Sequence, residues 1–261
     1  MRYETIKITA GEYAGALTAY EHTASAALSC PNRPALLVLP GGGYGMCSER
    51  ESEPIALEFF NRGYNAYVLV YPCAPARYPA QLCVAAAAMD CIRKRARNGN
   101  TDNKKVFAVG FSAGGHLCAC LANCPENFAP VQKYNYRPDG ILLGYPVIGG
   151  EPTHEGSFYN LLGGKPTGDT AWLDLHTSVR ADNPPAFIWA TADDQAVPVV
   201  NSLRYAAAYA RSNLRFALHI YPKGPHGLSL ADARTSGGDP AQENGEIAQW
   251  VDMADTFMRS I

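Results

Sequence analysis

Short apolar runs alternate along the chain with longer segments that carry helix signals. Six runs are almost entirely apolar, which is typical of strands buried in a parallel sheet. They span residues 35–39, 65–70, 105–110, 140–145, 186–190 and 216–221. Five segments between or after these runs predict helices. They span residues 52–61, 81–97, 113–123, 198–211 and 242–260. Residues 3–9 and 16–22 alternate with a period of two and predict edge strands. This order predicts an α/β domain with a mostly parallel central sheet flanked by helices.

One long segment interrupts the alternation. About forty residues, 146–185, separate the run that ends at Tyr145 from the run that begins at Ala186, and their periodicity is weak. Loops of this length are usually functional, so we predict a single domain over residues 1–261 with 146–185 as a small cap or lid. Phe158 and Tyr159 lie in this segment. Two interpretations stay open for them, namely packing the cap onto the body and lining a pocket.

Composition and charge exclude several function classes. The 261 residues are 47% hydrophobic, and 22 Lys and Arg face 24 Asp and Glu, so no basic excess is present to bind nucleic acid or an anionic membrane. No apolar run reaches the ~18 residues of a membrane helix. The first residues, from Met1 to Lys7, lack the apolar core of a signal peptide, so we expect a cytoplasmic protein. The eight cysteines lie mostly in apolar stretches without zinc-ligand spacing, and no metal site is predicted.

A glycine-flanked serine follows one of the apolar runs. Gly110-Phe111-Ser112-Ala113-Gly114 matches the pattern G-x-S-x-G between a predicted strand and a predicted helix, the context that this motif requires. Such a turn presents the serine hydroxyl at a helix N-terminus, where the helix dipole favours an oxyanion. We interpret Ser112 as a nucleophile rather than as an incidental serine in a glycine-rich turn.

A serine nucleophile needs a base to take its proton, and the base needs a carboxylate to orient it. Where the serine follows a strand in a G-x-S-x-G turn, the three residues occur along the chain in the order serine, carboxylate, histidine. Of the six histidines, only His219 and His226 follow a suitable carboxylate. His219 lies within a predicted strand, whereas His226 lies in the loop just beyond it, so His226 is the predicted base. Asp193 and Asp194 both follow the run 186–190, and one of them can cap the helix that begins near Pro198. Asp194 is the favoured partner of His226, and Asp193 is the alternative.

A second glycine-rich turn, Pro40-Gly41-Gly42-Gly43-Tyr44-Gly45, follows the first buried strand. An oxyanion hole needs backbone N–H groups that face one point, and Gly42, Gly43 and Ala113 are the candidates. A phosphate-binding loop is disfavoured because this turn matches neither of the nucleotide-binding patterns G-x-G-x-x-G and G-x-x-x-x-G-K-[ST]. Tyr44 is a candidate for contact with the substrate, together with Phe158 and Tyr159.

These motifs together resemble a known family. Gly-Gly-Gly-Tyr, Gly-Phe-Ser-Ala-Gly-Gly-His-Leu, Asp-Asp-Gln-Ala-Val-Pro and Gly-Pro-His-Gly are similar to motifs of the α/β-hydrolase esterases, in particular of the lipase-like and acetyl-xylan-esterase-like branch. The resemblance runs from about Pro34 to the C-terminus. Pro40 departs from the family pattern, because many relatives carry a histidine there.

The resemblance implies hydrolysis of esters with short acyl groups, including acetyl groups on sugars, without a cofactor or a metal. The expected partner is therefore a small-molecule ester, with no nucleic acid and no membrane. One alternative is a serine peptidase of the prolyl-oligopeptidase type, in which a tyrosine is common where this chain has Ala113. Another is a non-catalytic binding protein on the same scaffold, although such proteins usually lose a member of the triad.

Overall fold

An eight-stranded sheet organises the computed structural model, which describes residues 1–24, 32–96, 101–149, 152–167 and 171–261. The strands are β1 (Arg2–Ala10), β2 (Tyr13–Glu21), β3 (Arg33–Leu39), β4 (Asn65–Val70), β5 (Thr101–Phe111), β6 (Ile141–Gly144), β7 (Ala186–Thr191) and β8 (Phe216–Tyr221). Their spatial order is β1-β2-β4-β3-β5-β6-β7-β8. β2 pairs antiparallel with both β1 and β4, and all the other pairs are parallel. The predicted mostly parallel α/β sheet is confirmed.

Helices cover both faces of the sheet. They are α1 (Glu53–Asn61), α2 (Ala80–Ala96), α3 (Ser112–Asn123), α4 (Glu155–Leu162), α5 (Val200–Arg211), α6 (Gly245–Ala248) and α7 (Trp250–Arg259). Short 3-10 turns span Glu49–Glu51, Ala171–Leu173, Leu175–Thr177 and Pro240–Gln242. Helices α2, α3 and α5 pack on one face, and α1 and α7 pack on the other. Within the described ranges, no helix combines the length and the apolar character needed to cross a bilayer.

Successive side chains along a strand point to opposite faces of the sheet, so each strand contributes to two hydrophobic cores. Leu37 and Leu39 of β3 join the core beneath α2 and α3, whereas Leu36 and Val38 join the core beneath α1 and α7. All four side chains are fully buried, which explains why a strand covered on both faces reads as a continuous apolar run. The polar groups that follow such strands are therefore brought to one edge of the sheet.

The prediction of one long helix over residues 242–260 is wrong. Pro240–Gln242 forms a 3-10 turn, and helix α6 begins only at Gly245. The side chain of Asn244 accepts hydrogen bonds from the backbone N–H groups of Glu246 and Ile247, so it fixes the start of the helix. The turn expected at Asn98-Gly99 lies outside the described residues.

The described residues of the predicted cap, 146–149, 152–167 and 171–185, form one helix and two 3-10 turns. Helix α4 is capped at its N-terminus by His154 and ends at Gly163, which has a φ of 73°. Phe158 and Leu161 of α4 are buried in the core beneath α2 and α3, as are Leu173 and Leu175 of the 3-10 turns. These four apolar side chains of the cap thus pack onto the body of the molecule.

Candidate active site

Ser112 lies at a sharp turn between β5 and α3. Its φ is 52°, a left-handed conformation that is uncommon for a residue other than glycine and costs on the order of 1–3 kcal/mol. A Cβ on Gly110 would overlap the carbonyl oxygen of Gly114, and a Cβ on Gly114 would overlap that of Leu39. Both flanking glycines are therefore required by the close approach of the backbone, and the turn holds the serine side chain at the end of the sheet.

His226 and Asp194 complete a chain of hydrogen bonds with Ser112. His226 Nε2 is 2.9 Å from Ser112 Oγ, and His226 Nδ1 is 2.7 Å from Asp194 Oδ2. The ionised carboxylate is an acceptor only, so Nδ1 carries the proton and Nε2 is free to accept the serine proton. The structure thus brings together the three residues in which the sequence predicts a nucleophile, a base and a carboxylate.

Backbone donors fix the carboxylate. Asp194 Oδ1 accepts hydrogen bonds from Ala196 N (2.8 Å) and Val197 N (2.9 Å), which leaves Oδ2 for His226. Its side chain is fully buried, whereas Asp193 is exposed. Asp193 Oδ1 instead accepts from Gly224 N at 2.8 Å and so anchors the loop that carries His226. The two aspartates therefore have different partners, and only Asp194 contacts the histidine.

The glycine loop after β3 presents backbone N–H groups near the serine. The Gly42 carbonyl accepts hydrogen bonds from Gly45 N (3.0 Å) and Met46 N (3.2 Å). Because the peptide is trans, this arrangement turns the N–H of Gly43 in the opposite direction. Ala113 is the second residue of α3, and the first N–H groups of a helix lack partners within that helix. Gly43 and Ala113 are therefore suited to donate to an oxyanion, and the N–H of Gly42, whose φ of 116° lets the loop turn, stays a third predicted donor.

A buried glutamate that the sequence analysis missed supports this loop. Glu51 is 4% exposed, and its Oε2 accepts from Gly41 N at 2.8 Å. Its Oε1 accepts from the Tyr145 hydroxyl at 2.6 Å, and that hydroxyl in turn accepts from Ser229 N at 2.9 Å. The Tyr145 ring lies 5.0 Å from the His226 ring in an edge-on arrangement. Glu51 and Tyr145 therefore connect the glycine loop to the histidine loop.

Electrostatics keep this connection in one protonation state. Burial and the charge of Glu51 raise the pKa of Tyr145 well above its ordinary value, so the hydroxyl remains protonated and donates to Glu51. Arg50, the neighbour of Glu51, also donates to the carbonyl of Gly227 at 2.9 Å. A charged residue just before a predicted helix is expected to be exposed to solvent. The sequence therefore contains no signal that Glu51 is buried.

The three candidate lining residues occupy different environments. Tyr44 is 1% exposed, and its hydroxyl lies 2.8 Å from His116 Nδ1. Phe158 is also buried, with its ring 5.4 Å from that of His116. Packing against His116 therefore occupies both rings. For Phe158 this agrees with the interpretation that the aromatic side chains of 146–185 pack the cap onto the body, and contact of Tyr44 with a substrate stays a prediction. Tyr159 is 54% exposed.

Burial determines the protonation state of His116, which lies behind the glycine loop. It lowers the pKa of His116 to about 4, so this side chain is neutral at pH 7. In the described part of the chain, no group of three or more His, Cys, Asp or Glu side chains has the arrangement of a metal site.

Known proteins with a similar sequence or structure are esterases and related hydrolases. Residues 26–137 match the BD-FAE family. A solved structure of an acetyl ester-xyloside bifunctional hydrolase from Caldicellulosiruptor lactoaceticus is 35% identical in sequence, with a TM-score of 0.81. The alignment covers 96% of this chain and 89% of that chain. The chain belongs to the α/β-hydrolase esterase family.

Two curated relatives of this esterase family member are longer proteins. Endo-1,4-beta-xylanase B of Butyrivibrio fibrisolvens is 39% identical over an alignment of 233 residues that covers 84% of this chain and 37% of that protein. Acetylxylan esterase of Xylanibacter ruminicola is 30% identical over an alignment of 208 residues that covers 77% of this chain and 42% of that protein. The chain spans about two fifths of the length of the curated relatives that it matches.

Proposed function

We propose that this protein is a serine esterase that removes short acyl groups, acetyl above all, from hydroxylated alcohols such as carbohydrates. The observation that carries the proposal is the continuous hydrogen-bond chain from Ser112 through His226 to Asp194. The same geometry suits nucleophilic attack on an ester carbonyl with proton transfer through the histidine. The carbohydrate part of the proposal is supported by the relatives, whose names refer to xylan and acetylxylan.

In the first half of this mechanism, Ser112 Oγ attacks the ester carbonyl carbon while His226 Nε2 takes the hydroxyl proton. The carbonyl oxygen becomes an oxyanion, to which the N–H groups of Gly43 and Ala113 donate. Asp194 stabilises the imidazolium that forms and holds its tautomer. The carbon–oxygen bond to the alcohol then breaks, and His226 returns the proton to the departing alcohol oxygen.

In the second half, water repeats the sequence on the acyl-enzyme. His226 takes one proton from the water as its oxygen bonds to the acyl carbon. The tetrahedral intermediate collapses, the bond to Ser112 Oγ breaks, and the serine regains its proton from His226. The products are a carboxylic acid and free enzyme, so the cycle balances without a metal or an electron carrier.

Covalent labelling combined with acetate release tests the proposal. A fluorophosphonate probe should modify Ser112, as located by peptide mass spectrometry, and should abolish acetate release from acetylated xylo-oligosaccharides. A probe that leaves Ser112 unmodified would favour a binding protein on this scaffold. Peptide cleavage without ester cleavage would favour a serine peptidase instead.

A further inference from the structure

His154 combines a fixed tautomer with a position beside the proposed active site. It caps helix α4, and its Nδ1 accepts a hydrogen bond from the backbone N–H of Ser157 at 3.2 Å. The Ser157 hydroxyl lies 2.8 Å from the same nitrogen. A backbone N–H can only donate, so Nδ1 must be the acceptor, and the neutral ring carries its proton on Nε2.

The environment favours the neutral ring. Burial lowers the pKa of His154, the charge of His226 lowers it further, and the charge of Asp194 opposes both effects. At neutral pH the side chain is therefore uncharged, and its Nε2–H is a hydrogen-bond donor.

Contacts with the glycine loop place His154 at the mouth of the oxyanion hole. A Cβ built on Gly43 would lie 3.8 Å from His154 Cε1 and 3.8 Å from Ser157 Oγ. Asn160, two turns further along α4, donates from Nδ2 to the Gly43 carbonyl at 2.9 Å. The start of the cap helix thus rests on the loop whose N–H groups face the reacting carbonyl.

We propose that His154 determines specificity for the alcohol part of the ester, by donating a hydrogen bond from Nε2–H to a hydroxyl or ring oxygen of a carbohydrate leaving group. This inference rests on the proposed esterase function. His154 lies against Gly43, next to the position of the reacting carbonyl. An acetyl group has no polar atom besides its carbonyl oxygen, so a further donor here finds its acceptor in the alcohol part of the ester. An alcohol without further oxygens cannot use this donor.

Two substitutions separate the two nitrogens of the ring. Asn places its carboxamide oxygen near the position of Nδ1 and is a preferred N-cap residue, so His154→Asn keeps the cap and loses the donor. His154→Gln has the longer reach of Nε2 and offers an N–H there. His219→Asn, on β8, is a matched control that removes an imidazole elsewhere. Circular dichroism confirms that each variant is folded.

The readout is the ratio of kcat/KM for an acetylated xylo-oligosaccharide to kcat/KM for phenyl acetate, whose leaving group has no other polar atom. His154→Asn should lower this ratio about tenfold, mainly through a higher KM for the oligosaccharide, as expected for one lost hydrogen bond to the substrate. His154→Gln should recover part of the loss, and His219→Asn should leave the ratio unchanged.

Other outcomes overturn the proposal in distinguishable ways. An unchanged ratio in His154→Asn, or an equal fall on both substrates, would show that His154 acts only as a helix cap or as a support for the loop. If the wild-type protein hydrolysed phenyl acetate but not the acetylated xylo-oligosaccharide, the proposed hydrogen bond from His154 to a carbohydrate would be contradicted, whereas the esterase chemistry would not. Failure of the wild-type protein on both substrates would contradict the proposed function itself.

Discussion

At the scale of single residues, the adjacent Asp193 and Asp194 allow the role of the carboxylate to be compared at two neighbouring positions. Asp194 contacts His226, whereas Asp193 contacts a backbone N–H. Asp194→Asn should lower kcat for p-nitrophenyl acetate by about 10⁴, since an amide favours the wrong tautomer of the histidine. Asp193→Asn is the matched control and should have a much smaller effect. A larger loss in Asp193→Asn than in Asp194→Asn would transfer the role to Asp193.

His116 gives a prediction about pH and stability. Its pKa is about 4 in the folded protein and 6.5 in the reference state, so between these values the unfolded chain binds more protons than the folded one. Stability should therefore fall as the pH decreases from 6.5 to 4, and this group contributes at most about 3 kcal/mol to the fall.

Urea denaturation at several pH values tests that contribution. His116→Gln removes the titrating group, so the free energy of unfolding of the variant should depend less steeply on pH between 4 and 6.5 than that of the wild type. The variant's overall stability is not the readout, because losing the contact with Tyr44 changes it at every pH. Parallel pH profiles for the two proteins would contradict the account of His116.

The sequence predicts the contacts of the proposed triad because each member has a short-range signal. Ser112 lies in a spaced glycine motif, and His226 and Asp194 follow apolar runs in the required order. Glu51 and Tyr145 have no such signal. Their hydrogen bond joins positions 94 residues apart, so only the fold brings them together. The sequence makes Tyr44 a candidate for substrate contact and leaves both packing and pocket lining open for Phe158, because the pattern does not distinguish a buried aromatic side chain near a site from an exposed one.

At the scale of elements, the connection from the turn Glu49–Glu51 to β6 and the histidine loop is testable by a double-mutant cycle. Glu51→Ala and Tyr145→Phe each leave a buried hydrogen-bonding group without its partner, and each should lower the free energy of unfolding by at least about 1–3 kcal/mol. The two losses should not add, since both changes remove the same hydrogen bond. Chemical denaturation of the two single variants and the double variant measures the coupling. Strictly additive losses would show that the two residues act independently.

Element boundaries show where local pattern is sufficient. Strand β4, predicted at 65–70, has the observed limits because its five buried residues form a short apolar run that begins at Asn65 and ends next to Tyr71-Pro72. The C-terminal helix differs, since the apolar periodicity extends across Asn244 and conceals a cap. The cap segment had weak periodicity because its apolar side chains pack onto the body from three short pieces rather than from one helix.

At the scale of the whole molecule, we expect the small cap to limit the length of the acyl group. Phe158 and Leu161 of α4 face the core, so they are not available to line an apolar channel. A long acyl tail gains ~0.8 kcal/mol for each CH₂ that it buries, and this gain requires such a channel. We therefore expect kcat/KM to be highest for acetyl or butyryl esters and to fall by octanoyl.

A series of p-nitrophenyl esters, each measured below its micelle concentration, tests this expectation. Constant leaving-group chemistry makes the acyl length the only variable. Values of kcat/KM that rise steadily from acetyl to decanoyl would reveal an apolar channel and would contradict the interpretation of 146–185 as a small cap.

The most direct test of the central claim is the turnover of Ser112→Ala. Alanine removes the attacking oxygen and leaves the glycines, the histidine and the backbone donors in place. With p-nitrophenyl acetate as substrate and folding verified by circular dichroism, kcat should fall by ~10⁶, as for loss of the nucleophile in a comparable triad. A folded Ser112→Ala protein that keeps more than roughly a hundredth of wild-type turnover would contradict the assignment of Ser112 as the nucleophile.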